Sequence, residues 1–353
     1  MLPIELLTKI RDLQINSQHS FFYKGLFPSS RVNTVLGLNR PDDNIFFSLS
    51  VIYVLQGLVG VLTEEEKVMV KEMEAALLPN LRYYTNKPER NSYNFWQKSK
   101  GKHFPNGHVL NKWSKFQLPD DIDTTSLAQM VVGASYQDAL KTKRILPHYA
   151  NLYRCRIKNG HKQLSKYKAY STWFGKDMPI EFDVCVLCNY LLWLHRYGFE
   201  VNENDQDCIS LVVETIDESL YFQSAFRSSP EYPKIEIILY HLARLASITP
   251  FVDAVKAKLI QDILLVYDHV EHPYAQMLLQ SALLKLGVKR NVNRQSILQY
   301  VDTYWWFTAG LLSVYSNTQV QRVAPKSMFH FRFVCPAFNY VLVFENMLLN
   351  KTK

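Results

Sequence analysis

Apolar residues recur at three- and four-residue spacings along almost the whole chain, the period of helices that bury one face. The spacing predicts helices over Pro3–Asn16, Asp43–Leu62, Glu64–Leu78 and Asp121–Ala134. It continues over Phe182–Tyr197, Asp205–Leu220, Lys234–Ala246 and Pro250–Asp268, then Pro273–Leu286, Ser296–Val301, Tyr304–Ser316 and Pro336–Leu349. Met328–Val334 alternates briefly and reads as a short strand. Thr63 before Glu64-Glu65-Glu66 forms a capping-box arrangement, and Pro250, Pro273 and Pro336 suit a first helical turn. Two stretches, Asn86–Pro119 and Arg156–Pro179, break the pattern and are rich in Gly, Lys, Ser and aromatics. Loops of that length in a compact helical protein often line a site.

About twelve helices joined as sequential antiparallel pairs close into a double ring, an α/α toroid, or run on as an open superhelix. No short exact repeat of the solenoid kind is present, which favours the ring. The expectation is an all-α chain forming a single α/α-toroid domain over residues 1–353, with room for irregular long loops or a short hairpin.

Composition adds detail. The chain is 48% hydrophobic and 20% charged, with 21 Tyr and 20 Phe, which points to thick helix interfaces or an aromatic-lined cavity. The formal charge of +8 is moderate, and the basic residues are scattered except at Lys98, Lys100 and Lys102 and at Lys141, Lys143 and Arg144. That balance suits an anionic ligand or surface, but without a nucleic-acid motif no nucleic-acid partner is expected. Asn44–Leu62 carries no formal charge, yet Asn44, Ser48, Ser50, Tyr53 and Gln56 and acidic flanks make it a buried helix rather than a membrane span. Five cysteines, an odd number, with no secretory signal in Met1-Leu2-Pro3-Ile4-Glu5, read as thiols of a reducing compartment, the cytoplasm.

The sharpest chemistry is Pro119-Asp120-Asp121-Ile122-Asp123-Thr124-Thr125 at a helix start. As plain structure, Asp120 is the N-cap, Asp123 is N3, and the negative charge meets the unpaired amides of the first turn. As chemistry, carboxylates this close cannot all ionise, so one stays protonated and can act as an acid toward an alkene, an epoxide or a glycosidic oxygen. Asp123 is then the proton donor and Asp121 its hydrogen-bonded partner. An ionised cluster would instead suit Mg²⁺.

Asp121-Ile122-Asp123-Thr124-Thr125 resembles the acidic motif of class II terpene cyclases, the squalene–hopene cyclase superfamily. The resemblance implies an α/α toroid in which Asp123 is the acid that starts cyclisation and Asp121 is the first motif aspartate. Thr124 stands where that family carries a further aspartate, and the glutamine–tryptophan repeats of the large triterpene cyclases are missing. Asp183 through Asn189, Tyr221 in Leu220-Tyr221-Phe222, and Tyr240 through Arg244 resemble the helical landmarks of uncharacterised bacterial toroid proteins grouped with that superfamily.

Other signals are weaker. Cys185-Val186-Leu187-Cys188 has the spacing of half a zinc site, but no second pair follows and its apolar neighbours suit buried thiols. Asp183-Val184-Cys185 with His241 resembles the zinc set of protein prenyltransferase β subunits. The expectation is no resident cofactor, with Mg²⁺ or Zn²⁺ as alternatives. Trp173, the Tyr304-Trp305-Trp306 run, His103 and His108 are candidate ligand contacts, Trp173 as an anchor at a cavity rim and Tyr304, Trp305 and Trp306 because ring faces steady a cation. There is no Gly-x-Ser-x-Gly elbow, phosphate loop or dinucleotide fingerprint. Three functions fit: proton-initiated cyclisation or isomerisation of an apolar isoprenoid-like ligand; glycan hydrolysis or elimination, pairing Asp123 with Asp183 or Asp217; and a helical scaffold or ligand-binding protein in which the acids are caps.

Overall fold

The computed structural model describes residues 2–85, 90–98, 113, 117–158, 160–175, 178–291, 296–310, 312 and 317–352. Six helices are buried on most of their surface, and most of them are apolar enough to explain this place: α2 (Phe46–Leu58), α4 (Ile122–Val132), α6 (Val184–Tyr197), α10 (Ile235–Ile248), α12 (Pro273–Lys285) and α14 (Pro336–Thr352). A helix that is hydrophobic all round has no face to offer water and must be surrounded. They pack in cyclic order, α2 on α4, α4 on α6, α6 on α10, α10 on α12, α12 on α14, and α14 back on α2.

Helices with one polar face lie against this ring. α1 (Pro3–Asp12) packs on α14, α3 (Glu64–Leu77) on α2, α7 (Glu203–Asp217) on α6, and α11 (Lys256–His269) on α12 and α10. α5 (Tyr136–Ile145) follows α4 directly, and two single turns, α8 (Leu220–Gln223) and α9 (Ala225–Ser228), follow α7. α13 (Thr318–Val323) precedes the last strand.

Local signals place several ends. The Thr63 capping box forms, with Glu66 N donating to Thr63 Oγ1 and Thr63 N to Glu66 Oε2. Pro273 and Pro336 open their helices. α4 and α6 each stop at a glycine in the left-handed region, Gly133 (φ 60°) and Gly198 (φ 62°), where a side chain would be strained.

Some expectations are corrected. The fold is largely helical but not all-α: β1 (Ser29–Asn33), β2 (Leu38–Asp42), β3 (Phe307–Gly310) and β4 (His330–Val334) form an antiparallel sheet in the order β2-β1-β4-β3. The strand expected near Met328–Val334 is β4, and Ser30 pairs with Val334 across nearly the whole chain. The helix expected over Tyr304–Ser316 is not formed in its described part, because Phe307–Gly310 pairs with β4 instead. Pro250 does not open a helix; α11 begins at Lys256 after a short 3-10 turn over Asp253–Val255. In place of the helix expected over Ser296–Val301 there is a 3-10 turn, Ile297–Tyr300. Among the described residues no helix is long and apolar enough to cross a membrane.

Candidate active site at the N-terminal ends of the inner helices

The starts of α2, α4 and α6 and the segment leading into α10 meet at a cavity of about 50 Å³. One wall is polar, with Asp121, Asp123, Thr124 and Glu231, and the other is aromatic, with Phe46, Phe95, Trp173, Phe307 and Phe333. The sheet supplies the last two, so β3 and β4 form part of the wall. Thr308 N donates to Glu231 O at 2.7 Å and pins β3 beside the acids.

Asp121, not Asp120, is the N-cap of α4; Thr124 N donates to its Oδ1 at 2.5 Å. Its other oxygen, Oδ2, is buried without a partner. Burial, then the adjacent Asp123, pushes the Asp121 carboxyl well above its ordinary range. The shift favours the protonated acid, and one oxygen stays uncommitted. Asp120 instead anchors the loops, accepting from Ser92 Oγ at 2.6 Å and Asn94 Nδ2 at 3.3 Å.

Asp123 sits in the first turn of α4 with both oxygens engaged. Asn189 Nδ2 of α6 donates to Oδ1 and the Tyr232 hydroxyl to Oδ2, each at 2.5 Å. Burial lifts its pKa to about 7, against the pull of those two hydrogen bonds. Asn189 Oδ1 in turn accepts from Arg244 Nη2 of α10.

A second acid–apolar–acid triplet, Glu181-Phe182-Asp183, adjoins the first. The backbone joins the two loops: Ile122 N donates to Thr172 O, Phe174 N to Asp120 O, and Thr172 N to Glu181 O. Asp183 caps α6, accepting from Cys185 N and Val186 N, and also from Ser229 Oγ and Glu231 N. Burial raises it to about 6 despite these donors. Glu181 accepts from Trp173 Nε1 at 3.0 Å, and burial lifts it to about 7. Glu231 is half-buried; desolvation, then Glu181 and Asp183, pushes it well above its ordinary range.

Of the residues singled out in the sequence, Asp121, Asp123 and Trp173 meet at this cavity. The three aromatics of Tyr304-Trp305-Trp306 lie outside its lining. Tyr304 and Trp305 flank the Lys234 ammonium, 3.5 and 3.9 Å from their ring centres, and Trp306 is buried against His241, Tyr240 and Phe338. His103 and His108 lie outside the described residues. Asp217 is exposed at the end of α7 and does not join Asp123, whereas Asp183 lies close enough to raise its pKa.

Cys185 and Cys188 are buried free thiols with pKa values pushed up by burial. Among the described residues no three His, Cys, Asp or Glu side chains are placed to hold a metal ion, so Asp183, Cys185 and His241 do not assemble a zinc set. His241 donates through Nδ1 to Ile237 O, and burial lowers its pKa to about 3. Sequence reasoning missed Glu181, Glu231 and Tyr232. Glu181-Phe182-Asp183 repeats the spacing of Asp121-Ile122-Asp123 and was a usable signal; Glu231 and Tyr232, after Pro230, carry none.

No family model matches the chain, and no curated protein matches it. Among solved structures it is similar to one described as the crystal structure of a protein from Actinoplanes, at 10% identity and a TM-score of 0.58, over 99% of this chain and 100% of that one. The likeness is one of fold.

Proposed function

We propose that this chain is a single α/α toroid, terpene cyclase-like, that protonates an apolar isoprenoid-like ligand and so starts its cyclisation or isomerisation. The cyclic order of the six apolar helices, with one-faced helices outside, supports the toroid reading. The observation that carries the chemistry is Asp121 Oδ2: buried, unpartnered and part of a carboxyl held neutral beside aromatic rings.

The sequence resemblance gives the acid role to Asp123. The geometry supports Asp121 as the group that delivers the proton, with burial and the neighbouring Asp123, itself held by the Tyr232 hydroxyl, favouring the protonated form of Asp121. The Asp121 O–H bond breaks, the proton forms a C–H bond with an alkene carbon, and the new cation is steadied by ring faces such as Phe46, Phe95 and Trp173. Loss of a proton from a neighbouring carbon to the Asp121 carboxylate restores the acid. About 50 Å³ holds only a few waters, so the cavity takes the reacting end of such a ligand after its wall is displaced.

The test is deuterium incorporation from D₂O into linear polyprenyl alkenes and their epoxides. Asp121→Asn is expected to abolish it with the fold intact by circular dichroism. Turnover in both Asp121→Asn and Asp123→Asn at the parent rate sinks the reading. A second reading, a scaffold without turnover, is favoured by the caps that Asp121 and Asp183 provide. It expects Asp121→Ser, which keeps a cap, to match the parent in stability, with no turnover to lose.

A further inference from the structure

The opposite ends of the same six helices surround a second, larger cleft of about 710 Å³. It lies among the last turns of α2, α6, α10 and α12 and the second half of α14. Leu58, Met130, Leu192 and Leu349 make one side apolar. Arg196, Arg244 and Lys285 bring three cations to the other, against one carboxylate, Glu345.

These charges are not equivalent. Lys285 Nζ meets Glu345 Oε1 at 2.6 Å, and the Tyr240 hydroxyl donates to Glu345 Oε2 at 2.7 Å, so that pair is internally satisfied. Arg196 lies exposed in the last turn of α6, where a cation also complements the helix dipole. Arg244 sits a turn deeper and is only 8% exposed. Among the described residues no carboxylate lies within 4.0 Å of its guanidinium; Nη2 donates to Asn189 Oδ1, Cζ lies 5.5 Å from the Tyr53 ring centre, and Nε is buried without a partner. A buried guanidinium without its own anion is unfavourable, because it gives up its hydration without a counter-charge in return. Gln56 Oε1, on the same cleft, is a buried acceptor without a donor.

We propose that this cleft binds an amphiphilic oxyanion, a phosphate or carboxylate head on an apolar chain, with the head on Arg244 and Arg196 and the chain along Leu58, Met130, Leu192 and Leu349. The inference stands apart from the acidic cavity and does not need it to be catalytic. A monoprotonated phosphate head suits the site better than a carboxylate, because its hydroxyl can donate to Gln56 Oε1 while its other oxygens accept from Arg244.

The test is calorimetric titration of the full chain with decyl phosphate below its micelle concentration, alongside decanoate, decanol and inorganic phosphate. Decyl phosphate is expected to bind one to one, at least about tenfold tighter than decanol or inorganic phosphate, and to weaken as salt rises. Arg196→Gln and Ile248→Glu, both at exposed rim positions, should each weaken it about fivefold or more without disturbing the fold. Arg244→Gln should abolish it, with thermal unfolding as the check on its stability, and Asp121→Asn should leave it unchanged. Decanoate binding as tightly as decyl phosphate supports the oxyanion site and removes its preference for a phosphate head. Absence of binding, equal binding of decanol, or indifference to both rim variants overturns the proposal. Binding lost in Asp121→Asn but kept in the rim variants also overturns it, by moving the ligand to the acidic cavity.

Discussion

The Tyr232 hydroxyl donates to Asp123 Oδ2 at 2.5 Å, joining two residues 109 positions apart in the chain. It ties the start of α4 to the segment before α10, and it is one of two side-chain donors that hold Asp123 partly ionisable in a buried place. A donor to a carboxylate favours its charged form. Tyr232→Phe should therefore raise the Asp123 pKa above its present value of about 7. The variant should also lose about 1.5–3 kcal/mol of stability at pH 8, where Asp123 is charged, and less at pH 5. Urea unfolding at the two pH values reads this directly, and an equal loss at both removes the Asp123 link.

The pH dependence of Asp123→Asn has a definite sign. The folded pKa of about 7 lies above the unfolded value, so between roughly pH 4 and 7 the folded chain binds the extra proton. The contribution of Asp123 to stability falls as pH rises through that window and stays low above it. An asparagine removes this cost. Relative to the parent, Asp123→Asn should gain stability from pH 5 to pH 8, by on the order of 2–3 kcal/mol. Taking the difference between variant and parent cancels the opposing titration of buried His241 and Lys234. A flat difference across pH contradicts the assignment.

Asp183 is a cap and a crosslink together. Its carboxylate accepts from Cys185 N, Val186 N, Ser229 Oγ and Glu231 N. Asp183→Ala strands four donors and should cost about 3 kcal/mol or more, while Asp183→Asn should cost less by keeping the cap oxygen. Thermal or urea unfolding distinguishes the two; equal small losses contradict the crosslink.

The thiols separate cleanly by burial. Cys155 is exposed, while Cys185, Cys188, Cys208 and Cys335 are buried with pKa values pushed up by burial. A thiol–disulfide exchange reagent should label one thiol quickly in the native protein and all five in denaturant. Rapid labelling of Cys185 or Cys188 in the native state shows that the helix ring opens readily.

Much of the helical framework was legible in the chain. α3, α6 and α12 begin and end within about two residues of the apolar pattern, because capping boxes, proline and terminal glycine are local signals. α5 escaped notice because Tyr136–Ile145 buries only Ala139, Thr142 and Lys143, too few apolar positions to show a period. The sheet escaped for a different reason. Ser29–Asn33 and Leu38–Asp42 hold few apolar residues, and β1 is completed by β4 from the other end of the chain. A strand whose partner is some 300 positions away leaves little trace in its own spacing.

The sequence by itself determined most of the segments that become helices, which of them are buried on most faces, and that two acids stand at the start of α4. The roles of those acids were decided by the tertiary structure alone. Asp121 and Asp123 are neighbours in the chain, yet one keeps a free oxygen and the other spends both on Asn189 and Tyr232. Glu181 and Asp183 from one segment and Glu231 from another are raised in the same way, first by burial and, for Glu181 and Glu231, by neighbouring carboxylates as well. Burial and charge act through space, over distances that only the folded chain sets, so the protonation of a carboxyl is a property of the packed site.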